Sequence, residues 1–152
     1  MSRTVDVNPL LYAANRDAPE HERALRLVEH LARGPELVVL FWPVLMSYLR
    51  IATHASLFPR PLSPAAAASN IDALLARPNV RVAGEGERFW DTYRHVAADV
   101  PARGNSVPDA HLVALMIEHG VGVIWSRDRG FRKYRGITVQ DPFADRYQDG
   151  FS

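Results

Sequence analysis

The sequence predicts one α/β domain built on a parallel sheet. Its 152 residues are enough for a single core, and 47 % hydrophobic with 23 % charged content is ordinary for a globular chain. Short apolar runs of strand length recur along it, and residues 37–40 (Leu, Val, Val, Leu) have no inside–outside alternation. Such a run suits a strand covered on both faces. Between the runs lie segments of helical periodicity bounded by proline and glycine. Strand–helix alternation argues a parallel sheet with helices on both sides. Right-handed crossovers then bring the strand C-termini to one edge.

Residues 4–7 read as a short buried strand. Asn8 is a plausible helix cap and Pro9 a good first helical residue, so a helix follows through Ala14. In residues 21–32, apolar positions 24, 25, 27, 28 and 31 fall on one helical face, and Gly34-Pro35 ends it. After the strand at 37–40, Trp42-Pro43 opens a helix that runs to Ala52, and the prolines between 56 and 64 mark a loop. Residues 65–76 are helical by alanine propensity. A short strand at 79–82 and a helix at 87–98 come next, the helix burying Phe89, Trp90, Tyr93, Val96 and Ala97 as one stripe. Pro108 and Gly120 bracket a further helix, residues 121–125 form a buried strand, and 130–134 form a helical turn anchored by Phe131. A last strand at 137–140 ends at Asp141-Pro142, and residues 1–3 and 146–152 are loosely held ends of a single domain spanning 1–152.

The totals exclude several classes of function. The chain has no cysteine, which removes disulfides, thiolate nucleophiles and cysteine-based zinc sites. A net charge of +1 is not that of a strongly basic nucleic-acid binder, yet residues 127–135 hold five basic side chains around one acid. The longest apolar run is short and broken by Pro43, so the sequence predicts no membrane span, and a cytoplasmic location is the default. No serine–histidine triad or glycine-rich phosphate loop is visible.

Three acids fall at element ends on the expected functional edge: Asp6 at the end of the first strand, Asp109 in the first turn of a helix, and Asp128 after a strand. Carboxylates gathered there repel one another unless a cation neutralises them, and hard oxygen ligands suit Mg²⁺ or Mn²⁺. The structural alternative has Asp109 and Asp128 as helix-start residues and Asp6 as a turn acid, and spacing alone does not displace it.

Asp6-Val7-Asn8, Val107-Pro108-Asp109-Ala110-His111-Leu112 and Ser126-Arg127-Asp128-Arg129-Gly130-Phe131, in this order and spacing, resemble PIN domains, and most closely the VapC toxins. The resemblance runs from Asp6 to Pro142. It implies a three-layer α/β/α fold with four or five parallel strands. It also implies a Mg²⁺- or Mn²⁺-dependent endoribonuclease that cuts a structured RNA (tRNA or rRNA), is dimeric, and is neutralised by a cognate antitoxin. Asp6, Asp109 and Asp128 would then be its catalytic, metal-binding acids. One position departs from the pattern, because Ser47 stands where the family usually has a glutamate. That loss leaves two readings, an active nuclease with a weaker metal site or a PIN-fold module that binds RNA or antitoxin without efficient catalysis. Asp141 is a candidate substitute acid.

Supporting roles are open for Asn8, Asn105, Ser126 and Ser47, each with a structural alternative as a cap or turn residue. Arg50, Arg127, Arg129, Arg132 and Lys133 are candidates for holding the RNA backbone, and Tyr134 for stacking a base.

Overall fold

A computed structural model describes residues 2–144. Its strands are β1 (Arg3–Val5), β2 (Val38–Phe41), β3 (Val80–Ala83), β4 (Val123–Trp125) and β5 (Thr138–Gln140). The helices are α1 (Val7–Ala14), α2 (His21–Arg33), α3 (Trp42–Ala52), α4 (Pro64–Leu75), α5 (Phe89–Asp99) and α6 (Val107–Glu118), and 3₁₀ turns cover Gly104–Ser106 and Arg129–Lys133. All strand pairs are parallel, in the order β3-β2-β1-β4-β5. The expected α/β/α architecture is therefore present, with five strands. No helix of the described residues is long and apolar enough to cross a membrane.

The order carries the functional information. From β1 the chain steps outward to β2 and β3, then returns to place β4 on the other side of β1. Val5 pairs with Trp125, so β1 and β4 end side by side. The crevice beyond the C-termini of such a strand pair, where the winding reverses, is where open α/β sheets bind ligands. α1 packs on α2 and α3, and α3 on α4, while α5 packs on α6.

The core explains why these elements hold. β2 is buried at every residue, as its unbroken apolar run requires. α6 buries Ala110, Leu112, Val113, Ala114, Leu115 and Met116, more than one face, and so is an interior helix. Phe41, Leu27, Leu45 and Ile124 join it in one core.

Three sequence expectations shift. The cap of α1 is Asp6, whose Oδ1 accepts the Val7 N–H at 2.8 Å, so the helix starts before Asn8. Pro9 is tolerated because the first-turn N–H groups lack intrahelical partners in any case. Trp90 is not part of the buried stripe of α5. It is 63 % exposed, and only Val96 of that helix is fully buried, because one contact face against α6 cannot cover the whole stripe. Arg3 already belongs to β1, its N–H donating to the Leu37 carbonyl at 3.0 Å, so the loose N-terminal end does not reach it. The loose C-terminal segment at 146–152 lies outside the described residues.

Candidate active site

Ser126 is the hinge of the site. It follows β4, is 1 % exposed, and fixes its backbone by donating its N–H to the Gln140 carbonyl at 2.9 Å. Its hydroxyl donates to Asp6 Oδ2 at 2.9 Å and accepts from the Asp128 N–H at 3.0 Å. One buried side chain thus ties the acid after β1 to the segment carrying the acid after β4. Asp6 is held further by its cap bond, and by its own N–H donating to the Trp125 carbonyl at 3.0 Å. Asp128 caps the 3₁₀ turn, Oδ1 accepting the Gly130 N–H at 2.8 Å. Asp6 and Asp128 are therefore both capping residues, and the capping bonds also orient their carboxylates.

Asp109 enters from α6. Val107 and Pro108 open that helix, and Asp109 stands in its first turn, where the helix dipole favours a negative charge. Burial pushes its carboxyl above the usual range, Asp128 and then Asp6 push it further, and Lys133 pulls it back. Burial is also the largest cause of the raised Asp6 carboxyl, opposed by the Val7 and Ser126 bonds and reinforced by Asp128. The three acids therefore share one electrostatic neighbourhood at the end of β1 and β4.

The remaining candidates separate into groups. Asn8 and Asn105 are exposed near Asp6 and Asp109 along the chain, and Ser47 is half-buried on α3. Arg50, Arg129 and Arg132 are exposed. Lys133 is the basic residue that acts on Asp109, and its Nζ also lies 5.6 Å from the Tyr134 ring centre. Arg127 instead turns away, donating to Glu20 at 2.8 Å and lying over Phe143 at 5.4 Å. Tyr134 is buried at 4 % exposure, as is Phe131 at 1 %, so the Tyr134 ring is not open for a base to stack on. Burial raises the Tyr134 hydroxyl, with Asp109, Tyr93 and Asp128 adding to the effect. The phenol therefore lies within electrostatic reach of the acids as a buried group, not as the open stacking ring that the sequence suggests. Asp141 closes a local turn, accepting the Phe143 N–H at 2.8 Å, and is not among the charges acting on Asp6 or Asp109.

A hard divalent cation fits the chemistry of this donor set. A carboxylate offers about four lone-pair sites. The caps and Ser126 take one bond at each Asp6 oxygen and one at Asp128 Oδ1, which leaves acceptor capacity on both. Burial and the neighbouring acids both raise the Asp6 and Asp109 carboxyls, and a cation between them would favour their ionised forms. Among the described residues, no three His, Asp or Glu side chains are already drawn together at ion-holding distance. Mg²⁺ keeps several of its waters and needs few protein ligands.

Comparison with known proteins identifies the family and the fold. The PIN domain family matches residues 4–137. Ribonuclease VapC48 of Mycobacterium tuberculosis is 52 % identical over 144 residues, covering 95 % of this chain and 99 % of its own. Ribonuclease VapC43 of the same organism is 40 % identical over 138 residues, covering 91 % and 93 %. VapBC2 from Rickettsia felis, solved bound to a DNA fragment from its promoter, superposes with a TM-score of 0.67 at 14 % identity, covering 92 % of this chain and 98 % of that one. VapC20 of M. tuberculosis, described as a Sarcin-Ricin loop cleaving toxin, gives 0.61 at 21 % identity, covering 86 % and 92 %. These two share the fold. The match extends over both the strand-end acids and the helix that carries Asp109, and on it the chain belongs to the PIN-domain family, in its VapC group.

Proposed function

We propose that this chain is a divalent-metal-dependent endoribonuclease, the toxin of a VapBC-type pair, which cuts a structured RNA and is neutralised by a cognate antitoxin. The observation that carries this reading is Ser126 joining Asp6 to Asp128 at the sheet's switch point, with Asp109 in the same electrostatic neighbourhood. A bound Mg²⁺ or Mn²⁺ supplies counter-charge for the carboxylates and polarises phosphate and water. The chain's own part is to orient. Asp6 and Asp128 are aimed by their caps and by Ser126, and Asp109 is fixed by α6. Lys133 stands where it can meet a substrate phosphate, and exposed Arg129 and Arg132 extend the same basic rim for the RNA backbone.

Relatives solved as VapBC complexes support an antitoxin partner. An apolar cleft of about 260 Å³, lined by Leu10, Ala13, Val28, Ile71 and Leu74, suits an apolar segment of such a protein. For the homodimer, Trp42 and Met46 lie one turn apart on α3, 44 % and 51 % exposed, and are apolar candidates for the interface.

Ser126→Ala should lower cleavage about ten- to a hundredfold, the usual effect of losing an outer contact to a ligand. Ser126→Thr keeps the hydroxyl and should recover most of it. Equal cleavage by the alanine variant would remove Ser126 from the site.

Ser47 decides between the active nuclease and the binding module, so the test is a Mn²⁺ titration of RNA cleavage by the wild type and Ser47→Glu. The nuclease reading expects both to cut, the variant half-saturating at lower Mn²⁺ because a carboxylate replaces a neutral hydroxyl. A folded wild type that does not cut, beside a variant that does, makes the native chain a binding module. Cleavage by neither contradicts the nuclease.

A further inference from the structure

α5 presents an aromatic surface that the acids do not account for. Trp90 is 63 % exposed, and its indole stacks on Tyr93 with ring centres 5.7 Å apart and planes 13° from parallel. Scattered exposed aliphatic side chains are normal on a protein surface. A near-parallel pair is different, because Tyr93 holds the indole in one orientation and leaves its other face to solvent. The rings continue as far as α6. Tyr93 lies 6.2 Å from Phe89, and Phe89 lies 5.2 Å from His111, which is two residues beyond Asp109 on α6.

The charge around the indole is directional. Arg94 follows Trp90 by four residues and so shares its face of α5, exposed and without an ion-pair partner among the described residues. Asp91 is about 100° further round the helix from Trp90. His95 is turned aside, its Nδ1 2.8 Å from the Asp91 carbonyl oxygen.

We infer that Trp90 and Tyr93 form a stacking platform for an unpaired base of the RNA substrate, with Arg94 meeting the phosphate beside it. The inference rests on the proposed ribonuclease function for its substrate class. A base suits the surface because every base offers a flat π-face, and stacking on an aromatic side chain needs no sequence-specific hydrogen bond. The guanidinium adds a phosphate contact that depends on salt. A structured RNA whose cut site lies in a loop would then be held at two points, its backbone at the acids and one splayed base on α5.

The test measures binding without cleavage. Fluorescence anisotropy in EDTA would follow a labelled single-stranded oligoadenylate RNA, and the same backbone with abasic sugars, at one fixed ionic strength. The proteins are the wild type, Trp90→Ala and Trp90→Phe, with melting curves to confirm folding, which an exposed residue should not disturb. The platform predicts that Trp90→Ala weakens oligoadenylate binding roughly tenfold, as expected for one lost base stack. It predicts that Trp90→Phe loses less and that the abasic strand binds equally to all three. Unchanged oligoadenylate affinity in Trp90→Ala overturns the inference. So does a lower sedimentation mass in Trp90→Ala with RNA affinity intact, which would make the patch an interface between copies of the chain. Because cleavage is not read, a protein that cuts RNA with unchanged binding in Trp90→Ala loses the platform and keeps the nuclease. A wild type that binds the strand through Trp90 but never cuts keeps the platform and loses the nuclease.

Discussion

Asp109→Asn is expected to remove RNA cleavage, by more than about a hundredfold, while the protein stays folded. Losing an outer contact to a metal ligand already costs about ten- to a hundredfold, so losing a ligand carboxylate should cost at least that. The change is isosteric and falls in the half-buried first turn of α6, where a neutral amide removes a charge that burial disfavours. Stability should move in the opposite direction to activity. The Asp109 carboxyl is raised in the fold, so the folded state binds its proton more tightly than the unfolded chain does. The contribution of Asp109 to native stability is therefore fullest below the unfolded value and is lost as pH rises through the unfolded and then the folded value. Above both, the metal-free Asn variant should melt at higher temperature than the wild type, and the difference should fade on acidification. Cleavage retained by a well-folded Asn variant would take Asp109 out of the reaction.

Phe131→Ala should be the most damaging single change to the fold near the site, costing about 3–5 kcal/mol. The ring is 1 % exposed and belongs to the 3₁₀ turn immediately after Asp128, joined to the main core. Removing it leaves a cavity beneath the turn whose Gly130 N–H holds the Asp128 carboxylate. Activity should therefore fall before stability is exhausted. Urea unfolding measures the first effect, and cleavage at a urea concentration where the variant remains folded measures the second. A loss below about 1 kcal/mol would mean the turn is not anchored by this ring.

How much of this could be read from the sequence depended on whether the signal was local. β2 announced itself as an unbroken apolar run, and α6 as a proline-opened, glycine-closed apolar helix, because burial on every side leaves no polar positions to confuse the period. The family likeness was legible for the same reason, since its motifs sit at strand ends and helix starts. Asn8-Pro9 is itself a good helix opening and so hides the true cap, Asp6, whose second oxygen is held by the Ser126 hydroxyl 120 residues away, a contact with no local signal. Long-range pairings were illegible for the same physical reason. Arg127 looked like one more cation in a basic run, yet it is committed to Glu20, 107 residues earlier. Trp90 fitted a helical stripe by period, but period does not tell how wide a face the neighbouring helix will cover.

The most direct test of a metal-dependent cutting site built from Asp6, Asp109 and Asp128 is to map the 5′ ends left in total cellular RNA by the purified, antitoxin-free protein. Parallel reactions would contain Mg²⁺, Mn²⁺ or EDTA, with Asp109→Asn beside the wild type. Discrete new ends are expected with either metal, none in EDTA, and none from the variant. The same ends in EDTA, or from the folded variant, would contradict such a site.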